Sequence, residues 1–349
     1  GDWSELNEPA DISRFILGTK AQTLSRLKQM VTLSRIEDQV SFTVDQWNKE
    51  PLYWINEIQE TLGKVGLIIR SSALSEDGFL NSNAGAYTSM LDVPGNKAKA
   101  VQEAVEIVIK SYPDKNPNNV VLVQPMLTNV LVSGVIFTRS LTSGAPYYTI
   151  NYDDTSGTTE TITGGTSVDD KTLKILRDAK QRDKEIPKSL QNLLPAIREI
   201  EALVDYDSLD IEFAITAEQG LHILQVRPIA VDHTMNDVCD HDVYTLINEA
   251  EGIFQRHEQA SPFVVGHRTL YGVMADWNPA EIIGTKPGLL ATSLYRNLIL
   301  DETWATQRAE YGYRDVRPQP LLVSFAGHPY IDIRACFNSF VPRSLPDEL

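Results

Sequence analysis

Hydrophobic positions along the chain fall into two rhythms. Between Ser13 and Val31 a short apolar piece passes through Gly18 into a helical pattern, with Leu24, Leu27 and Val31 three or four apart. Residues 54–62 and Ala98–Tyr112 also read as helices, the second with Val101, Val105 and Val108 on one stripe. Buried strands are predicted over Val65–Ile69 and Val120–Leu127. Leu131–Thr138 and Tyr147–Tyr152 suggest an antiparallel sheet. Helices are expected over Leu173–Lys184 and over Leu190–Leu203, with Pro195 kinking or breaking the latter.

Two further β-type runs, Leu209–Ile215 and Leu221–Ile229, flank a polar connection containing Gly220 and read as a hairpin. Their polar residues carry the interest. Alternate strand residues share a face, so Asp210 pairs with Glu212 on one strand and Gln225 with Arg227 on the other. A four-residue loop, Ala217–Gly220, sets Glu212 opposite Gln225 and Asp210 opposite Arg227, leaving Ile211, Phe213, Leu224 and Val226 for the other face. A five-residue loop would put the two polar pairs on opposite faces.

Candidate chemistry gathers elsewhere too. Lys20 lies at the first turn of its helix, where amide groups and a cation suit an anion, or where a lysine simply meets solvent. The Val65–Ile69 strand ends in Arg70, followed by a stretch rich in Ser, Gly, Asn and Ala that includes Ser82 and Gly85. Such a loop offers amide and hydroxyl donors for phosphates; a flexible surface loop is the plain alternative. Thr155–Gly165 is a second Gly- and Thr-rich loop, carrying Glu160. Gln124 and Met126 alone read as ordinary strand residues.

After Ile229 the character changes. Asp232–Asp242 is an acidic, polar linker with His233, Cys239 and His241, whose spacing fits no common zinc pattern. Tyr244–His257 reads as a helix, and the segment beyond is rich in aromatic and turn residues. There Asp332 and Arg334 alternate with Ile331 and Ile333 as on a strand, with Asn338 nearby. That polar face suits a small zwitterionic acceptor or an interface ion pair.

Composition narrows the classes. The 349 residues are 42% hydrophobic, enough for more than one core. The net charge of −16 argues against nucleic acid as a partner, though a local Lys and Arg cluster can still hold a nucleotide. Two distant cysteines, no long apolar run and no signal-like start give the expectation of a cytoplasmic protein without a membrane partner.

Taken in order, Gly18-Thr19-Lys20, Arg70–Ala73 with Glu76-Asp77 and Ser82–Gly85, Val123–Met126, Ser133–Thr138, and Asp210–Phe213 with Leu224–Ile229 resemble the nucleotide-binding domain of the phosphoenolpyruvate synthase and pyruvate phosphate dikinase family. The resemblance implies an α+β chain with an ATP-grasp fold in two lobes, 1–115 and 116–230, then a linker and helix, 231–259, and a smaller acceptor-side segment, 260–349. It implies that Lys20 and Arg70 bind ATP phosphates under the Ser82–Gly85 loop, with Glu160 also on the nucleotide. Gln124, Pro125 and Met126 would surround adenine. Glu212 and Gln225 would hold Mg²⁺, with Asp210 nearby and Arg227 on the transferring group. Phosphoryl transfer asks for such a set of oxygen ligands and cations.

Members of that family pass the phosphoryl group through a histidine on a separate domain, and none of the six histidines here lies in the Gly-rich motif expected for it. The expectation is a fragment whose full-length chain carries a phosphohistidine domain. Residues 270–340 look more like acceptor domains of rifampin phosphotransferases and of the L-glutamine kinases of capsule phosphoramidate biosynthesis. Glutamine, pyruvate and an antibiotic hydroxyl then compete as acceptor. A non-catalytic ATP sensor is the rival from another class, and a scaffold leaves the two Gly-rich loops unexplained.

Overall fold

A computed structural model describes residues 17–63, 65–73, 77–78, 81–82, 88–157, 171–178, 186–229, 239–273, 278–300 and 302–346, with only the backbone described at 77–78 and 81–82. It divides into two compact units, Gly1–Val238 and Cys239–Leu349.

The first unit has the α+β arrangement anticipated for an ATP-grasp fold, two antiparallel sheets joined by a short segment. Its elements are α1 (Lys20–Leu27), β1 (Val40–Thr43), α2 (Val44–Lys49), α3 (Pro51–Leu62), β2 (Gly66–Ser72), the short β3 (Asp77–Gly78) and β4 (Asn81–Ser82), β5 (Ser89–Pro94) and α4 (Ala98–Lys110). There follow β6 (Val120–Pro125), β7 (Val130–Phe137), β8 (Tyr147–Asp153), β9 (Lys171–Leu176), α5 (Leu193–Val204), β10 (Leu209–Thr216) and β11 (Gly220–Pro228). One sheet runs β1-β6-β2-β5 and the other β11-β10-β7-β8-β9.

Alternation along β6 explains how one strand serves two cores. Val121 and Val123 fall among the side chains of α3, α4 and β2, while Leu122 joins the core built by α1, α5 and the second sheet. Residues 126–129 lead from β6 straight into β7 of the second sheet.

Two helix expectations are corrected. Leu173–Lys184 opens not as a helix but as β9, whose Leu173 and Ile175 alternate onto the core while Thr172 and Lys174 face outward. Pairing with β8 decides this, since Ile150↔Leu173 and Tyr148↔Ile175 bring both against the core at once. Residues 179–185 of that stretch lie outside the described residues. Pro195 neither kinks nor breaks α5. It is the third helical residue, where no intrahelical N–H bond is lost.

The second unit contains α6 (Asp240–His257), β12 (Tyr271–Gly272), α7 (Pro279–Ile282), α8 (Leu289–Tyr295) running into a π-helical turn (Arg296–Leu300), α9 (Thr303–Glu310), β13 (Leu322–Phe325), β14 (His328–Asp332) and α10 (Ile333–Asn338). Trp304, Tyr295, Leu322, Ile331 and Cys336 share its core. Here the expected strand through Arg334 is corrected. The chain turns at Asp332, whose carboxylate caps α10 by accepting from Ala335 N at 3.0 Å, so Arg334 lies on a helix.

Candidate functional site

The hairpin β10–β11 has the register its polar residues require: Asp210↔Arg227, Ile211↔Val226 and Glu212↔Gln225. The route to it differs from expectation. The connection is three residues, Ala217–Gln219, closed by the pair Thr216↔Gly220 with Gly220 in the left-handed region at φ +83°. Three residues alone would shift every partner by one and move Gln225 to the other face. A β-bulge restores the phase: Phe213 pairs with Ile223, Glu212 with Gln225, and Leu224 is the extra residue. Leu224 is therefore only half-buried, and Ile223 takes its expected place in the core beside Ile211, Phe213 and Val226.

Asp210 is buried, and both Arg227 Nε (2.8 Å) and an Arg227 terminal nitrogen (2.7 Å) reach its Oδ2. Burial pushes its carboxyl up to about 6; Arg227 opposes the shift, Glu212 adds to it, and Lys20 opposes it. The helix that Lys20 opens packs against β11 of the hairpin. The raised value has a sign in stability. Between about pH 4 and 6 the unfolded chain releases a proton that the folded chain keeps, so folding weakens as pH rises through that window. Relative to Asp210→Asn, which cannot titrate, the native chain should lose about 2 kcal/mol between pH 4 and pH 7. Urea unfolding of both proteins across that range measures it, and a flat difference would contradict it.

Lys20 is the first residue of α1 and is buried. The helix start is not an open cradle of amides. Thr19 and Gln22 form a capping box, and Ala21 N donates to Ser72 Oγ at 3.0 Å. With two amides committed, an anion there would be held chiefly by the ammonium.

Arg70 is half-buried and, contrary to expectation, does not end its strand, because Ser71 and Ser72 continue the pairing to Val121 and Val120. Ile68, Arg70 and Ser72 share one face of β2, opposite Gln124, Leu122 and Val120 of β6. Gln124 is buried, and the Met126 amide donates to Gly66 O at 2.8 Å. In the Gly-rich loop after Ala73, β3 pairs with β4, and its backbone comes within 8 Å of β11. Ser82 is placed on β4 by its backbone, while Gly85 and Glu160 lie outside the described residues.

The register also reveals residues that the sequence reading passed over. Glu212 lies across from Val135, Val135 from Asn151, and Asn151 from Thr172. Asn151 Oδ1 accepts from Thr172 Oγ1 at 2.9 Å, so the row that begins at Gln225 crosses the sheet and is polar on either side of Val135. The signal in sequence was the alternation Thr149, Asn151 against Tyr148, Ile150, Tyr152.

In the second unit, Asp332, Arg334 and Asn338 are occupied by their own chain. Asp332 also accepts from Thr269 Oγ1 and Gln319 Nε2, Arg334 donates to the carbonyls of His257, Gln259 and Gly266, and Asn338 brackets the backbone of Val265. Of the linker residues, His233 lies outside the described residues. Among the described residues no cluster of three or more His, Cys, Asp or Glu side chains could hold a metal, and no helix is long and apolar enough to cross a membrane.

No family model and no curated protein matches the chain. In fold it is similar to the VanG D-Ala:D-Ser ligase of Enterococcus faecalis, at 14% identity and a TM-score of 0.33 over 60% of this chain and 54% of that one. It is similar also to the D-alanine-D-alanine ligase of Helicobacter pylori, at 12% identity and a TM-score of 0.36 over 60% and 54% of the two chains. A third likeness is PH1788 of Pyrococcus horikoshii, at 14% identity and a TM-score of 0.40 over 64% and 97%. The chain thus spans about half the length of the two ligases, and at such TM-scores the likeness carries no functional weight.

Proposed function

We propose that the first unit is an ATP-grasp nucleotide site and that the chain is the ATP-binding portion of an ATP- and Mg²⁺-dependent small-molecule phosphotransferase, giving AMP, phosphate and a phosphorylated acceptor. One observation carries this reading. A bulged hairpin sets a carboxylate and an amide in one register position and a carboxylate–guanidinium pair two positions on, on the same face, and the helix opened by the buried Lys20 packs against it. The donor set fits magnesium, which takes one or two protein oxygens and completes its shell with phosphates and water. Glu212 and Gln225 would hold it, and the ion would neutralise charge developing on the phosphates. Lys20 and Arg70 supply cations to the polyphosphate, Arg227 approaches the transferring group, and Asp210 orients Arg227 through the paired bond. Gln124 and Met126 border adenine, at the segment joining the two sheets.

The acceptor in this reading is the amide nitrogen of L-glutamine, in capsule phosphoramidate synthesis, with pyruvate or an antibiotic hydroxyl as alternatives. It acts with a phosphohistidine domain of a longer chain, in the cytoplasm. Phosphorus NMR tests both levels. Titrating this chain into ATP with Mg²⁺ should shift the phosphate resonances, and no magnesium-dependent shift would refute the site. With the longer protein, a phosphoramidate resonance should appear with glutamine. Phosphoenolpyruvate formed from pyruvate would replace that acceptor.

A further inference from the structure

Ser72 is fully buried at the end of β2, two residues beyond Arg70 and on the same face. Its hydroxyl has an unusual duty, accepting the Ala21 amide at 3.0 Å across 51 residues of sequence. That amide belongs to the first turn of α1 and has no partner within the helix, so a side chain from another element supplements the Thr19–Gln22 capping box. The Ser72 amide in turn donates to Tyr112 Oη at 3.3 Å, and Tyr112 Oη donates to Val120 O at 2.5 Å. A buried chain of hydrogen bonds therefore runs from β6 through Tyr112 and Ser72 into the residue next to Lys20. Gln39 fixes the opposite side of the same residue, Nε2 donating to Ala21 O at 2.7 Å.

We infer that Ser72 is a positioning residue for the polyphosphate, holding Lys20 at a set distance from Arg70. The inference rests on the proposed ATP site. One cation sits on a helix start and the other on a strand. These elements belong to different cores, α1 packing with the second sheet and the apolar face of β2 with α3 and α4. Packing of apolar side chains alone tolerates small sliding between elements, whereas a buried directional hydrogen bond does not. Ser72 makes the spacing of the two cations a property of one bond. Phosphate groups of one nucleotide, bound by both cations, are what such a fixed spacing serves.

The test is a double-mutant cycle in nucleotide affinity, read by calorimetry on this chain. Wild-type protein is titrated with MgATP and with AMP, and binding of MgATP is required by the proposed site itself. Given that, Ser72→Ala should weaken MgATP binding about tenfold, leave AMP affinity unchanged, and have no further effect once Lys20 is Ala. Ser72→Thr, which keeps the hydroxyl, should restore MgATP affinity. If Ser72→Ala does not fold, as judged by circular dichroism, Ser72→Cys is read in its place. Equal loss for AMP and MgATP, or full additivity with Lys20→Ala, would show a merely structural residue and overturn the inference. Wild-type protein that binds no MgATP would refute the site and not the role of Ser72 alone.

Discussion

Glu212→Ala is expected to lower magnesium-dependent nucleotide turnover by roughly a hundredfold or more, which corresponds to about 3 kcal/mol of lost charge stabilisation. Magnesium-free nucleotide binding should stay within about threefold of wild type, because Lys20 and Arg70 are unchanged. The side chain is half-buried on the polar face, so truncation opens no core cavity and the fold should survive. Arg70→Ala should behave in the reverse way, weakening nucleotide with or without the metal. Turnover by the full-length protein and calorimetry with and without Mg²⁺ separate the two. Nucleotide binding and turnover unaltered by both substitutions would remove the hairpin from the site. Metal-independent binding with no turnover in any variant would favour the ATP sensor.

Gly134→Val should be the most destabilising single change in the first unit. Gly134 lies in the middle of β7, directly across from Phe213. A Cβ there would stand 2.6 Å from Asn151 O and 2.7 Å from Phe213 Cζ. The carbonyl belongs to β8 and cannot retreat without giving up ladder pairing, and Phe213 is among the largest fully buried side chains. Overpacking of this kind costs about 1–3 kcal/mol for a tolerant site, and here the backbone contact puts the cost at the upper end or beyond. A fall in the urea midpoint, or insolubility on expression, is the expected outcome. Gly134→Val, Phe213→Leu should recover only part of it, because the Asn151 contact remains. A midpoint within error of wild type would mean that β7 and β8 pair differently.

Local pattern makes most of the first unit legible. Leu24 and Leu27 of α1, and Val101, Val105 and Val108 of α4, are all fully buried, because a helix stripe and its burial are the same fact. The β9 stretch suits either period: Leu173 and Leu176 are helix-spaced, while Leu173 and Ile175 are strand-spaced. Only the open edge of β8, which β9 pairs with, decides between them. Asp332 and Arg334 are ambiguous for a related reason. Alternation from Ile331 onward matches a strand, yet Asp332 is also a good cap, and the capped helix buries Ala335 and Cys336.

The chemical groups of the hairpin are legible in local pattern, and the observed pairing, Asp210 with Arg227 and Glu212 with Gln225 on the face away from Ile211 and Val226, is one of the registers that pattern allows. Period-two alternation on two strands leaves that choice of face little freedom once one side is buried. How the pairing is reached, and what surrounds it, is settled by packing. The three-residue turn and the bulge at Leu224 cancel one another, and no local signal announces a bulge because it is a mismatch between strands. The same holds for Ser72 and Ala21, for the Asn151 row, and for the packing of α1 on β11. Each depends on elements far apart in sequence being brought together by burial of apolar faces, which is a property of the packed chain and not of any stretch within it.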